Sequence, residues 1–466
     1  MRGFVFARIV APMTEPMLFE GGRIATLSGA FYEDGALWVE GGRIQRMGPT
    51  RAVKSGFSGQ IVDLRGRLVL PGLVNAHHHL YSTLARGMPP LPGPAAKDFT
   101  GVLEQLWWPL DRALRPSDVY LSALFGLLES ARHGVTTVID HHASEGAVAG
   151  SLSEIARAAE DLGLRVATCF EVTDRDGPEV SAAGLAENAR FARAVAADPK
   201  PRGGVATLAA TLGLHASFTL SDETLSHARE LRERLDLPGV HVHVAEDEAD
   251  PAHAQATSGV RTVERLHRAG LLGPGTLAVH AVWVDDAEVA RLAETETLVV
   301  VNPSSNLNNA VGRSDVGRLL HAGVRVGVGS DGMTGDWLHE LAQTYFVRRD
   351  MAGDPSVGWD EVPQLQAGTR AVADVFFPGA GLGTLREGGP ADFAVYDYDP
   401  WTPLDGDTLQ GHLLYGGLGP RARTVVCGGR VVLLDGAPPN LDLASLSATA
   451  REAARALWNR RQGAPL

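Results

Sequence analysis

Between Leu68 and Gly332 the chain lays down eight apolar runs: LVLPGLVNAHHH, GVTTVIDHH, LRVATCF, ATLGLHASF, GVHVHVAED, TLAVHAVWV, TLVVVNPSS and VRVGVGSDG. Amphipathic or Ala-rich stretches separate most of them, among them SLSEIARAAEDLG, AENARFARAVAA, SDETLSHARELRERL and RTVERLHRAG. A strand that is apolar throughout, rather than at alternate positions, needs both faces covered, and helices packed on a parallel sheet do this. Eight such units predict an α/β fold, a (β/α)8 TIM-like barrel. The competing doubly wound open sheet wants a Gly-x-Gly-x-x-Gly turn after its first strand. That turn is missing, and an open sheet gives no reason for polar residues to end so many strands.

The flanks read differently. MLFEGGRIATL, GALWVEGGRIQRMG and GQIVDLRGRLVLPG are short strands broken by glycine turns, and ADFAVYDYDPW and ARTVVCGGRVVLLDG repeat the pattern late in the chain. Such segments form hairpins, and two sets at opposite ends close one small domain. The prediction is a β-sandwich domain from residues 1–70 and 386–440, the barrel over 71–385, and a C-terminal helix over 441–466. With 466 residues, 44% of them hydrophobic, the chain can bury a core of that size. Its formal charge of −13 argues against nucleic acid or an anionic membrane as partner. Two cysteines cannot build a disulfide framework and fit a reducing compartment. No apolar stretch reaches the roughly 18 residues of a membrane span. MRGFVFARIVAP lacks a convincing signal-peptide core with a cleavage site. The expected location is cytoplasmic.

In a barrel, chemistry belongs to the C-terminal ends of the strands and the loops after them. The first run ends in His77-His78-His79, the fifth holds His241, His243 and Glu246, the sixth His280, and the eighth ends at Asp331. Side chains alternate along a strand, so His77 and His79 share one face and His78 points the other way. Two imidazoles so placed suit a divalent metal. A His-x-His pair alone is equally compatible with core histidines holding local partners; a third histidine and a terminal Asp at the same strand ends tip the balance. His243 is preferred to His241 as third ligand because Glu246 follows where the strand ends, within reach of a metal-bound water. His241 lies a layer deeper and reads as a core histidine. Asp331 closes an apolar run that could not bury it unpaired, or it caps the next segment.

Some two-metal hydrolases on this barrel bridge their metals with a carbamylated lysine on the fourth strand. Only three lysines occur here, Lys54, Lys97 and Lys200, and none ends a strand. His215 takes the end of the fourth strand instead. One metal is the expectation.

Taken together, PGLVNAHHHLYSTLARGM, GVTTVIDHHAS, HVHVAED, LAVHAVWV, NPSSNLNNAVG and GSDGM, in that order and spanning almost the whole chain, resemble the amidohydrolase superfamily, in its metal-dependent deaminase and chlorohydrolase branch. GLHASFTLSD, SNLNNAVG and TPLDGDTLQGHLLYG are most similar to its SsnA-type aminohydrolases. The resemblance implies His77, His79, His243 and Asp331 as ligands of one divalent ion, Zn²⁺ or Fe²⁺. It implies Glu246 as proton shuttle, His280 beside the reacting centre, catalysis shared by Glu246, His280 and Asp331, and a substrate-contacting role for His215. Ser330, where Thr is commoner, should leave ligation unchanged. The implied enzyme is an aminohydrolase that replaces an amino group on a small nitrogenous heterocycle and releases ammonia. Cyclic amide hydrolysis, chloride displacement and a non-catalytic metal-binding role are the alternatives, and a homodimer is the implied assembly. Arg86 and Trp108 are further candidate substrate contacts. Arg86 is equally a structural arginine, and Trp107 and Trp108 equally pack a lid segment. His141, His142 and the Asn-rich loop after the seventh strand either line the pocket or support it.

Overall fold

The computed structural model describes residues 15–416 and 421–463; most of MRGFVFARIVAP, Met1–Pro12 read above as a ragged start, lies outside them. Five strands open the chain: β1 (Met17–Ala25), β2 (Phe31–Glu40), β3 (Arg43–Pro49), β4 (Gln60–Asp63) and β5 (Leu68–Pro71). Ten follow: β6 (Leu73–His78), β7 (Val135–Asp140), β8 (Arg165–Thr168), β9 (Glu171–Val172), β10 (Leu208–Ala210), β11 (Leu212–Ala216), β12 (Val240–Val244), β13 (Leu277–His280), β14 (Leu298–Val301) and β15 (Val326–Val328). The last are β16 (Phe393–Tyr396), β17 (Ala422–Cys427) and β18 (Arg430–Leu433).

The fold is α/β with parallel sheets. β6 to β15 pair only in parallel, in the orders β10-β8-β7-β6 and β15-β14-β13-β12-β11-β9. β8 and β9 are one run interrupted at Cys169 and Phe170, and β10 and β11 are one run interrupted at Thr211, so both runs pass from the first sheet into the second. The first and last parallel strands also meet, through a bridge between His78 and Asp331 and backbone bonds from Ser330 and Asp331 to the His77 carbonyl. Every residue of β6, β7, β12 and β14 is buried. This is the reason for their unbroken apolar character, and it means that a histidine on such a strand is buried whichever way it points.

Strands from both chain ends share one eight-stranded sheet, ordered β18-β17-β16-β5-β1-β2-β3 with β4 beside β1. Phe19, Leu37, Ile44, Val69, Phe393 and Val426 belong to its own apolar core. It is tied to the parallel strands by a fully buried ion pair between Arg165 of β8 and Asp392. Helix Leu443–Gln462, capped by Asp442, packs outside. Its Trp458 indole donates to the Leu84 carbonyl, and its Arg461 donates to the Pro89 and Gln105 carbonyls. The C-terminal helix therefore holds the long segment between β6 and β7, which carries Trp107 and Trp108. Among the described residues no helix is long and apolar enough to cross a membrane.

Candidate active site

Four side chains from the ends of the first, fifth and last parallel runs converge. His77 and His79 place Nε2 at 3.2 and 2.9 Å from Asp331 Oδ1, and His243 Nε2 lies 3.3 Å from His79 Nε2. All four residues are buried, and their donor atoms lie within 4.8 Å of one another. Two nitrogens at about 2.0–2.1 Å from one tetrahedral metal stand about 3.3 Å apart, which matches the His79–His243 spacing. Backbone at the strand ends is bent to aim these groups: Ala245, His280 and Asp331 sit at φ 48°, 75° and 52°. A non-glycine residue in this left-handed region stores strain that the surrounding packing must hold.

The far nitrogen of each imidazole is committed. His79 Nδ1 donates to the His141 carbonyl at 2.6 Å and His243 Nδ1 to the His215 carbonyl at 2.9 Å. With those protons fixed, both Nε2 atoms present lone pairs. His77 Nδ1 meets the Nε2 of His241 at 2.8 Å, so the core histidine of the fifth run fixes the tautomer of a ligand candidate from behind. Burial pushes His77 and His243 well below the usual histidine range, which keeps them neutral as ligands must be. His79 behaves differently. Burial opposes its charge, but the hydrogen bond and field of Asp331 outweigh it and raise the group to about 9, a proton that a metal cation displaces. Asp331 is held well below the usual carboxylate range because hydrogen bonds from His77 and His79 overcome its burial. Ser305 bonds its other oxygen at 2.5 Å.

Beside this cluster stand Glu246 and His280, with Oε2 and Nε2 3.5 Å apart. Burial, reinforced by the charge of Asp331, pushes the Glu246 carboxyl well up, so it carries a proton near neutrality. The loop after β14 orients His280. Its Nδ1 donates to Asn306 Oδ1 at 2.7 Å, the Asn306 amide donates to Ser314 Oγ, and Ser314 donates back to the His280 carbonyl. Nε2 of His280 is therefore a bare acceptor with no protein partner. Three members of the SSNLNN sequence thus serve the centre: Ser305 bonds Asp331, Asn306 orients His280, and Asn309 faces Glu246.

A cleft opens over these groups, lined by His79, His243, Glu246, Asp331, His215, Trp107 and Trp108, with Tyr81, Phe99, Leu103 and Asn309 closing it. His215, at the end of β11, bonds Thr219 through Nδ1 at 2.7 Å, and burial lowers it to about 4. Arg86 is not among the residues that line the cleft. It pairs with Glu129 at 2.5 Å and donates to the Met333 carbonyl, which gives it a structural place. His78 turns away from the cluster and bonds the Asp331 carbonyl through Nδ1 at 2.6 Å. His142 bonds Ser144, while His141 donates Nε2 to the Leu214 and His241 carbonyls and faces Glu171. Lys54 and Lys200 pair with Glu20 and Asp198, away from the cleft. Sequence reasoning missed Asp111, Glu171 and Arg175, all in the cleft wall. The available signal was EVTDRDG, a charged stretch directly after the third strand.

The amidohydrolase family model matches residues 68–432, from the last strand of the opening hairpins to the late ones. The chain belongs to the amidohydrolase family. Among its amidohydrolase relatives, the 5'-deoxyadenosine deaminase of Methanothermobacter thermautotrophicus is 31% identical over 91% of this chain and 94% of its own length. The 5-methylthioadenosine/S-adenosylhomocysteine deaminase of Nitratidesulfovibrio vulgaris is 32% identical over 91% of this chain and 93% of its own. The fold is shared with the zinc-bound adenosine deaminase of Xanthomonas campestris, with a TM-score of 0.82, 24% identity and coverage of 97% of this chain and 100% of that one. It is also shared with the triazine chlorohydrolase TrzN of Arthrobacter aurescens, at 0.77 and 21%, over 94% and 100%. The chain is a hydrolase with the site of a hydrolytic deaminase, acting on carbon–nitrogen bonds other than peptide bonds, and its donor set fits one divalent metal ion.

Proposed function

We propose that this chain is a zinc-dependent aminohydrolase of a 6-aminopurine-type heterocycle, with His77, His79, His243 and Asp331 as metal ligands. Its parallel strands are read as one closed (β/α)8 barrel over 71–385, and the end sheet as a small β-sandwich domain from 1–70 and 386–440. The observation that carries the functional reading is the pair formed by a protonated Glu246 and a bare His280 Nε2 at the open edge of the four-donor cluster.

A metal ion held there supplies a hydroxide nucleophile near neutral pH and polarises the reacting carbon. The residues do the rest. His280, its Nδ1 fixed by Asn306, accepts a hydrogen bond from the attacking oxygen and sets its direction. Glu246 gives its proton to the ring nitrogen next to the amino-bearing carbon, so that the carbon becomes tetrahedral without a full negative charge on the ring. Asp331 takes the proton released by the nucleophile, and the Glu246–Asp331 pair passes a proton to the departing amine. His215 and Trp108, on the opposite wall, hold the ring flat against the centre. The curated relatives are deaminases, which favours ammonia over chloride or a ring-opened amide as the outcome. The assembly is proposed to be a homodimer, which light scattering checks.

The test is ammonia release from a panel of aminopurines, pterins, pyrimidines and chlorotriazines. Glu246→Gln should lower kcat by about 10²–10⁴-fold with metal content intact. Chloride release without ammonia, or a fully active Glu246→Gln variant, would overturn the reading.

A further inference from the structure

Past His215 the cleft wall changes character. Glu171 lies 3.7 Å from His215 Nε2 and 3.6 Å from Arg175, whose guanidinium is 2.6 Å from both Asp111 and Glu145 and 3.4 Å from Asp176. The Arg175 side chain is only 5% exposed, and those of Asp111, Glu145 and Glu171 are 1%, 2% and 4% exposed. Arg112 answers Asp176 at 2.8 Å, which leaves Arg175 facing three buried carboxylates. The balance is negative, so the guanidinium is already over-compensated and is not a free anion receptor.

Two polar atoms of this wall have no partner in the protein. Asp111 gives Oδ2 to Arg175, but its buried Oδ1 accepts nothing, and the buried Nε1 of Trp108 donates to nothing. Asp111, Trp108, Glu171 and Arg175 all line the cleft. Arg175 lies 5.4 Å from the Trp108 ring, so the indole is held in place over the carboxylates. Buried polar groups are nearly always satisfied, and an acceptor and a donor left open on the wall of a substrate cleft point to a ligand.

We propose that the cleft ends in an anionic subsite, built from Asp111 and Glu171 around Arg175 with the Trp108 indole beside them, that takes a hydrogen-bond-donating or cationic substituent at the substrate's far end and rejects an anionic one. Asp111 Oδ1 is the acceptor for that substituent, and Trp108 Nε1 can serve a lone pair on the same group. A carboxylate or phosphate placed there would meet three carboxylates and one guanidinium they already surround. The proposal rests on the aminopurine reading above and adds which derivatives fit.

The test is calorimetric binding to the zinc-loaded full chain of four probes: 5'-deoxyadenosine, adenosine, 5'-amino-5'-deoxyadenosine and adenosine 5'-phosphate, with ammonia release followed on the same compounds. The amine and the alcohol should bind more tightly than the deoxy compound, and the amine about tenfold or more tighter than the phosphate. Their order separates a preference for positive charge from one for any donor. Asp111→Asn should narrow the gap between amine and phosphate, an effect that loss of a purely structural group would not produce. If that variant does not fold, the wild-type order alone decides. Phosphate bound as tightly as the amine, no binding by any probe, or an unchanged ratio in folded, metal-loaded Asp111→Asn would overturn the subsite. The right binding order without ammonia would instead sink the deaminase reading and leave the subsite standing.

Discussion

His241 offers a sharp test of how the metal centre is built, because it touches no reacting group and yet bonds a proposed ligand. His77 Nδ1 and His241 Nε2 are 2.8 Å apart, and both residues are fully buried. With His77 Nε2 turned to the metal, its Nδ1 carries the proton and His241 must accept it. Burial lowers His241 well below the usual range, so it is neutral and able to do so. His241→Phe keeps the volume and removes the acceptor. The stranded N–H costs about 1–3 kcal/mol, and loss of a group that orients a metal-bound histidine typically weakens affinity about 10–100-fold. The two figures agree, since about 1.4 kcal/mol is tenfold. Competition against a chromophoric chelator should give a zinc Kd raised by one to two orders of magnitude for His241→Phe, and a smaller rise for His241→Gln, whose amide oxygen can accept. Unchanged affinity in a folded His241→Phe variant would show that His77 does not need its tautomer fixed, and the account of the centre would be wrong.

Other perturbations address neighbouring parts of the structure. Glu340, 1% exposed, bonds Ser304 through one oxygen and leaves the other unpartnered; burial raises it to about 7 against hydrogen bonds from Ser304. The native state keeps this proton after the unfolded chain has lost its own, so stability falls as pH rises from about 4.5 to 7 and the loss is complete above that. In metal-free protein, Glu340→Gln should match the wild type near pH 4 and exceed it by up to about 3 kcal/mol at pH 8 in urea unfolding; a pH-independent difference would refute the assignment. Asn306→Ala frees His280 Nδ1, and kcat should fall roughly tenfold with KM and metal content little changed; a rise in KM alone would place Asn306 against the substrate instead.

The ligand set was legible because strands have period two and because polar residues closed apolar runs that could not bury them alone. His77, His79, His243 and Asp331 were named on that ground, and the structure brings their donor atoms together. His241 was seen as a core histidine. Its bond to His77 was not, since the meeting of the first and fifth runs across the interior is a matter of barrel closure, which no local pattern encodes. Arg86 was offered as a substrate contact on residue type alone, and its pairing with Glu129 comes from a helix contact invisible in sequence. The same applies to the acidic wall. Asp111, Glu145, Glu171 and Arg175 come from separate loops and look like ordinary solvated charges until the fold buries them together. The lysine shortage remained useful, as neither Lys54 nor Lys200 comes near the cleft.

The central claim is that one metal, held by three histidines and an aspartate, drives deamination. Stepwise addition of Zn²⁺ to metal-free protein, with ammonia release from adenosine followed at each step, tests it directly. The account predicts that activity rises from nothing and breaks sharply at one equivalent per chain. A break at two equivalents, or full activity before any metal is added, would contradict it.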